Sequence, residues 1–171
     1  MPLTPNQQHI IRQCDRNAVR SEFLSIARHW RKQQWLPSSN RYAKDTINKI
    51  QADVVPPRSI SQSHLRQYIA ASTVTHCMDG WAYLGRAIEA HLRGDGDVAR
   101  HLGYYAELRA AMALLAAEGI GVFNNRHFVI DNGGSCREIP KPTGAGRQGT
   151  HVFTWEALEY WATLSHASDL K

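Results

Sequence analysis

Few of the residues that would announce a chemistry are present in this sequence. Its 171 residues include three cysteines, Cys14, Cys77 and Cys136, an odd number set far apart. That spacing excludes a disulfide framework and points to reduced thiols in a cytoplasm. No apolar run approaches the roughly 18 residues that cross a bilayer. The start, Met1-Pro2-Leu3-Thr4-Pro5, has neither the basic residues nor the apolar stretch of a secretory leader. The expectation is a cytoplasmic chain with no membrane among its partners.

Recognisable site motifs are missing as well. The nine histidines are scattered. His76-Cys77, Cys136 and His151 lack the close pairs, C-x-x-C or H-x-x-x-H, that mark a zinc site. Gly144-Ala145-Gly146-Arg147 lacks the Gly-Lys-Ser/Thr ending of a phosphate-cradling loop. No Gly-x-Ser-x-Gly is present, so there is no nucleophile elbow. Neither a metal nor a cofactor is expected.

Acidic residues are scarce at one end. Residues 1–50 carry nine Lys/Arg against three Asp/Glu, a balance of +6 within a net charge of +5. Such asymmetry suits RNA, DNA or another acidic partner, or simply a solvated basic helix face. The cations to test in this role are Arg16, Arg20, Arg28, Arg31 and Lys32. Arg126, Arg137, Lys141 and Arg147 form a second group around a later hairpin and loop. Cations beside an aromatic such as Phe128 bind nucleic acid through phosphate contact and stacking.

What the sequence does contain is mostly helix. It is 43% hydrophobic and 20% charged, ordinary for a globular chain. A chain of this length buries about 70% of its unfolded surface and folds without staples. Thr4-Pro5 reads as an N-cap and first helical position. Val19, Phe23, Ile26 and Trp30 recur at helical spacing, with Arg16, Arg20, Arg28, Arg31 and Lys32 on the other faces. Tyr42 to Ile50 is weakly helical. Val54-Val55-Pro56-Pro57 then breaks the pattern. We place a basic N-terminal helical arm at 1–55 and the main body at 56–171.

The body opens with two long helices, about 64–93 and 97–118, joined by Gly94-Asp95-Gly96-Asp97 and therefore antiparallel. Val74, Cys77, Trp81, Leu84, Ile88 and Leu92 form the apolar stripe of the first. Leu102, Tyr105, Leu108, Met112 and Leu115 form that of the second. The pair is expected to meet through Trp81, Leu84, Ile88, Tyr105, Leu108 and Met112. Arg86 is the candidate ion-pair partner for Glu107 across it. Gly121 to Ile130 reads as a β-hairpin turning at Asn124-Asn125. Residues 131–149 read as a loop, and a last helix starts near Thr154. The fold class is mainly α: a helical bundle built on a long antiparallel pair, with one small β-hairpin.

The helical pair carries a resemblance. It reads His76-Cys77-Met78-Asp79-Gly80-Trp81-Ala82-Tyr83-Leu84 and then Gly103-Tyr104-Tyr105-Ala106-Glu107-Leu108-Arg109-Ala110-Ala111. Over about residues 64–120 this resembles the core hairpin of HEPN-like helical domains of prokaryotic defence and toxin systems. The resemblance implies a four- or five-helix domain, often dimeric or docked on larger partners, and many such domains are metal-independent ribonucleases. Their signature of Arg, four to six residues, then His is matched by Arg86 with His91 and by Arg58 with His64. Arginines and histidines this abundant give such spacings by chance. Arg86 and His91 also lie near the end of the first long helix, where the family pattern has the start of a late one. The functional expectation is therefore a non-catalytic helical subunit of a bacterial, anti-phage defence-type complex, partnered by other proteins or by itself. The alternatives are a ribonuclease toxin acting through Arg86 and His91, and a small non-specific nucleic-acid-binding adaptor using the basic arm.

Overall fold

Thr4 closes the first turn of the chain as the sequence implies. In a computed structural model its hydroxyl accepts from the Gln7 amide and its own amide donates to the Gln7 side chain, a reciprocal cap that opens α1 (Pro5–Ile11). The structure describes residues 2–30, 34–141, 149–165 and 167, with Trp30 placed by its backbone alone. Arg31, Lys32, the Gly144-Ala145-Gly146 stretch and Arg147 lie outside the described residues.

Among the described residues five further helices follow: α2 (Arg16–Trp30), α3 (Thr46–Asp53), α4 (Gln62–Leu92), α5 (Gly96–Ala117) and α6 (Thr150–Trp161). Between α5 and α6 run β1 (Ile120–Phe123), β2 (Arg126–Ile130) and β3 (Cys136–Glu138), an antiparallel sheet in that order. The hairpin turns at Asn124-Asn125, where Asn125 adopts φ 58°, a conformation asparagine tolerates. The third strand was not expected, because its residues fall in a stretch with no alternating pattern.

The central strand explains the run His127-Phe128-Val129-Ile130, which is buried throughout. Side chains alternate between faces along a strand. Phe128 and Ile130 enter one core with Val19, Ile26, Ile50, Leu65 and Ile69. Val129 enters a second core with Ile11, Leu108, Met112, Leu115 and Trp161, while the His127 ring stacks on Phe153 at 3.7 Å. A strand covered on both sides needs a near-continuous buried run.

The N-terminal segment is sewn to this sheet. The Asp15 amide donates to the Ile130 carbonyl at 3.0 Å, and Cys14 bridges Asp131. Val19 and Ile26 are buried against α4, and Phe23 packs beside them, as their spacing predicts. Gly119 ends α5 at φ +92°, where a Cβ would also lie 3.3 Å from the backbone of Asp15 and Ile130.

Candidate interaction surface

The two long helices meet through small residues. A Cβ on Gly80 would sit 3.4 Å from the Ala106 carbonyl and 3.6 Å from the Ala110 nitrogen. Ala87 and Ala106 are buried in the same seam. The expected contact through Trp81, Leu84 and Ile88 is therefore corrected. Trp81 and Ile88 each follow a seam residue, Gly80 and Ala87, by one position, about 100° round α4, and face outward; Leu84 lies nearer the seam and lines the groove beside it. Trp81 is 70% exposed, Ile88 53% and Leu84 39%. Leu108 and Met112 are buried, but in the core beneath α5 rather than against Trp81.

Above the seam lies an apolar groove of about 440 Å³. Cys77, Trp81 and Leu84 of α4 form one wall, and Gly103, Glu107 and Ala110 of α5 line the other. Met78, Ile88 and Leu92 continue the exposed apolar surface along α4. Monomeric proteins seldom leave so long an apolar stripe in water.

On the opposite side of the seam, Arg109 hydrogen-bonds the half-buried His76 ring at 3.0 Å and lies 3.7 Å from Asp79. Burial, and then the neighbouring guanidinium, push the His76 imidazole down to about 4. It is neutral at physiological pH. Arg86 does not pair with Glu107: among the described residues neither has an ion-pair partner. The charge fixed across the hairpin is that of Arg109.

Arg86 and His91 are both exposed on the outer part of α4. Five residues apart, they point about 140° from one another round the helix. A single chain does not converge them on one phosphate, as acid–base catalysis requires. Buried thiols offer no nucleophile either: burial raises Cys14 and Cys136 to about 12. Among the described residues no three His, Cys, Asp or Glu side chains gather into a metal site, and no helix is long and apolar enough to cross a membrane.

Three of the described candidate cations are tied into ion pairs. Arg16 pairs with Glu118 at 2.9 Å and Arg137 with Asp131 at 2.9 Å, both carboxylates being buried. Arg126 holds Glu138. Arg41 and the Tyr42 hydroxyl both donate to buried Asp53, and Arg66 pairs with Glu22. Arg20, Arg28 and Lys141 remain exposed. Arg126 and Lys141 share a small polar cleft with Gln51 and Asn124.

Comparisons with protein-family models, with curated proteins and with solved structures found no match to this chain.

Proposed function

We propose that the chain is a non-catalytic helical subunit that acts by docking, through the exposed apolar face of the α4–α5 hairpin. One observation carries this reading: Trp81, Ile88 and Leu92 are 70%, 53% and 80% exposed on helices that are otherwise well packed. Burying such side chains contributes about 1.5–3 kcal/mol each, and tryptophan is a frequent anchor of interfaces. The groove beside them is shaped by helix backbone rather than by a loop, so it is preformed. The HEPN-like resemblance of residues 64–120 supports placing the subunit in a prokaryotic defence-type assembly. The exposed, diverging Arg86 and His91 support a role without RNA cleavage.

The test is capture of binding partners, itself included, by the wild-type chain and by Ile88→Asp. Ile88 is exposed, so the variant folds with an unchanged circular-dichroism spectrum while losing its partners. Capture that is equal for both proteins would remove the hairpin face from the function. Incubation with mixed RNA checks the second half of the reading: wild type leaves it intact.

A further inference from the structure

Two glycines in the hairpin have no explanation within the chain. Gly85 lies inside α4 and Gly103 inside α5, and a Cβ on either would meet nothing within 4 Å. Glycine inside a helix costs about 1 kcal/mol relative to alanine. Gly80 answers that cost by letting the two helices touch; Gly85 and Gly103 do not. They are also level with each other. Leu92 stands beside Gly96 at the turn and Gly80 beside Ala106–Ala110 below. Counting between these fixed points sets Gly85 opposite Gly103.

We infer that the occupant of the hairpin face is a second copy of this chain, joined by a two-fold axis that runs across the hairpin at the level of Gly85 and Gly103. This inference rests on the docking reading above and names its partner. Each helix then crosses its own counterpart antiparallel at a glycine, where no Cβ holds the backbones apart, and the four helices form a bundle.

The stripe on α4 fits that axis. Met78 and Leu92 lie seven residues either side of Gly85, and Trp81 and Ile88 stand four and three residues from it. An antiparallel crossing at Gly85 sets Trp81 against Ile88 of the other copy, and Met78 against Leu92. Trp81 and Leu92 are 70% and 80% exposed there, with Met78, Leu84 and Ile88 exposed beside them, a run of large apolar side chains for the second copy to cover.

Charge supplies the register on α5. Arg100 and Glu107 are seven residues apart, two turns, and so share a helix face with Gly103 between them. Glu107 has no ion-pair partner among the described residues, and Arg100 has only the exposed i,i+3 contact to Asp97 at 3.2 Å. An antiparallel crossing near Gly103 brings each Glu107 to the Arg100 of the other copy. The axis makes that pair twice. A chain-unrelated partner gives no reason for this symmetry of cation and anion about one glycine.

The experiment is sedimentation of the purified full chain, of mass 19.3 kDa, over a micromolar dilution series. The wild type is expected to run as a dimer. Ile88→Asp runs as a monomer with its folded spectrum retained. Glu107→Arg and Arg100→Glu each raise the dissociation constant by roughly tenfold, since a symmetric interface repeats the clash. The double variant Arg100→Glu/Glu107→Arg recovers the wild-type value. A wild type that stays monomeric overturns the second-copy inference. If Ile88→Asp then still abolishes capture of another protein, the docking reading survives without it; if capture is also unchanged, both fall. A dimer indifferent to Ile88→Asp and to both charge reversals uses another face and overturns the inference.

Discussion

Met112 and Trp81 belong to the same helical pair, and both sit in apolar stripes of the same spacing, yet Met112 is 6% exposed and Trp81 70%. The difference lies in what stands opposite. Toward the base of the pair, α5 carries β1 and α6, and α4 carries α2. Toward the tip, the described residues place nothing on Trp81, Ile88 or Leu92. Periodicity states that a face is apolar; a third layer decides whether that face is core or contact surface. The base is therefore held by tertiary packing, and the tip by the helix–helix seam and local helix stability alone.

Paired aspartate substitutions give the widest separation between the two ends. Met112→Asp buries an unpaired charge and is expected to remove more than about 3 kcal/mol of stability. Ile88→Asp in the monomer stays within about 0.5 kcal/mol of wild type, as surface substitutions do. Urea unfolding of both variants checks this. Equal losses at the two positions would break the comparison, because they would mean that Ile88 is buried within its own chain.

A smaller effect separates glycines at the base from those at the tip. A Cβ on Gly121 would lie 2.7 Å from Ile69 Cγ1 and 2.9 Å from the Phe123 ring. Gly121→Ala overpacks that contact and is expected to cost about 1–3 kcal/mol. A melting curve unchanged from wild type would show that Ile69 and Phe123 yield freely.

His76 lies where the packed base passes into the free tip, and it makes the stability of that junction depend on pH. Its folded-state value is lowered to about 4 from the ordinary 6.5. Between those values the unfolded chain binds the proton and the folded chain does not. Stability therefore rises with pH through that window: it is fully present above 6.5 and is lost on acidification towards 4. Asp53 acts in the same sense further into acid, its carboxyl being held low chiefly by hydrogen bonds from Arg41. His76→Gln is expected to flatten the slope between about pH 6.5 and 4 while leaving the more acidic limb. Urea midpoints across that range measure it, and an undiminished slope would assign the effect to another group.

The helices and the hairpin were legible because their signals are local. Thr4-Pro5 starts α1, Gly94 turns α4 into α5, and Asn124-Asn125 turns the hairpin. β3 was not legible: three residues, two of them charged, hold no period, and the strand exists because Cys136 to Glu138 pair with β2. The fate of the basic residues was hidden for a related reason. Arg16 meets Glu118 across a hundred residues of sequence, so this cation of the first fifty residues is paired with a carboxylate far along the chain. For the candidate site, the residues were legible and their role was not. Trp81, Leu84 and Ile88 stood out as a stripe, and the small residues that displace them from the seam, Gly80 and Ala106, were visible beside them. A stripe of large apolar residues and a stripe of small ones on one helix compete for the neighbouring helix. The small ones win when the partner is also small at the facing positions, because backbones then approach and large side chains are left to the sides.

The smallest expected effect asks most about the tip. Gly85→Ala adds a Cβ into open space at a helical φ, so the monomer suffers no clash. Alanine loses less backbone freedom on folding than glycine, and the helix gains about 0.5–1 kcal/mol. Gly121→Ala, with the same change of atoms, loses stability. The sign of the effect thus reverses between the two ends of one molecule. The gain is read in Ile88→Asp, which holds the chain monomeric and isolates helix propensity from association. In an otherwise wild-type chain the same methyl group stands where two α4 helices cross, so it weakens self-association while strengthening the fold. A variant that melts higher as a monomer and dissociates more readily as a dimer has both properties. Helix stability raised with self-association untouched would leave Gly85 with no contact to protect.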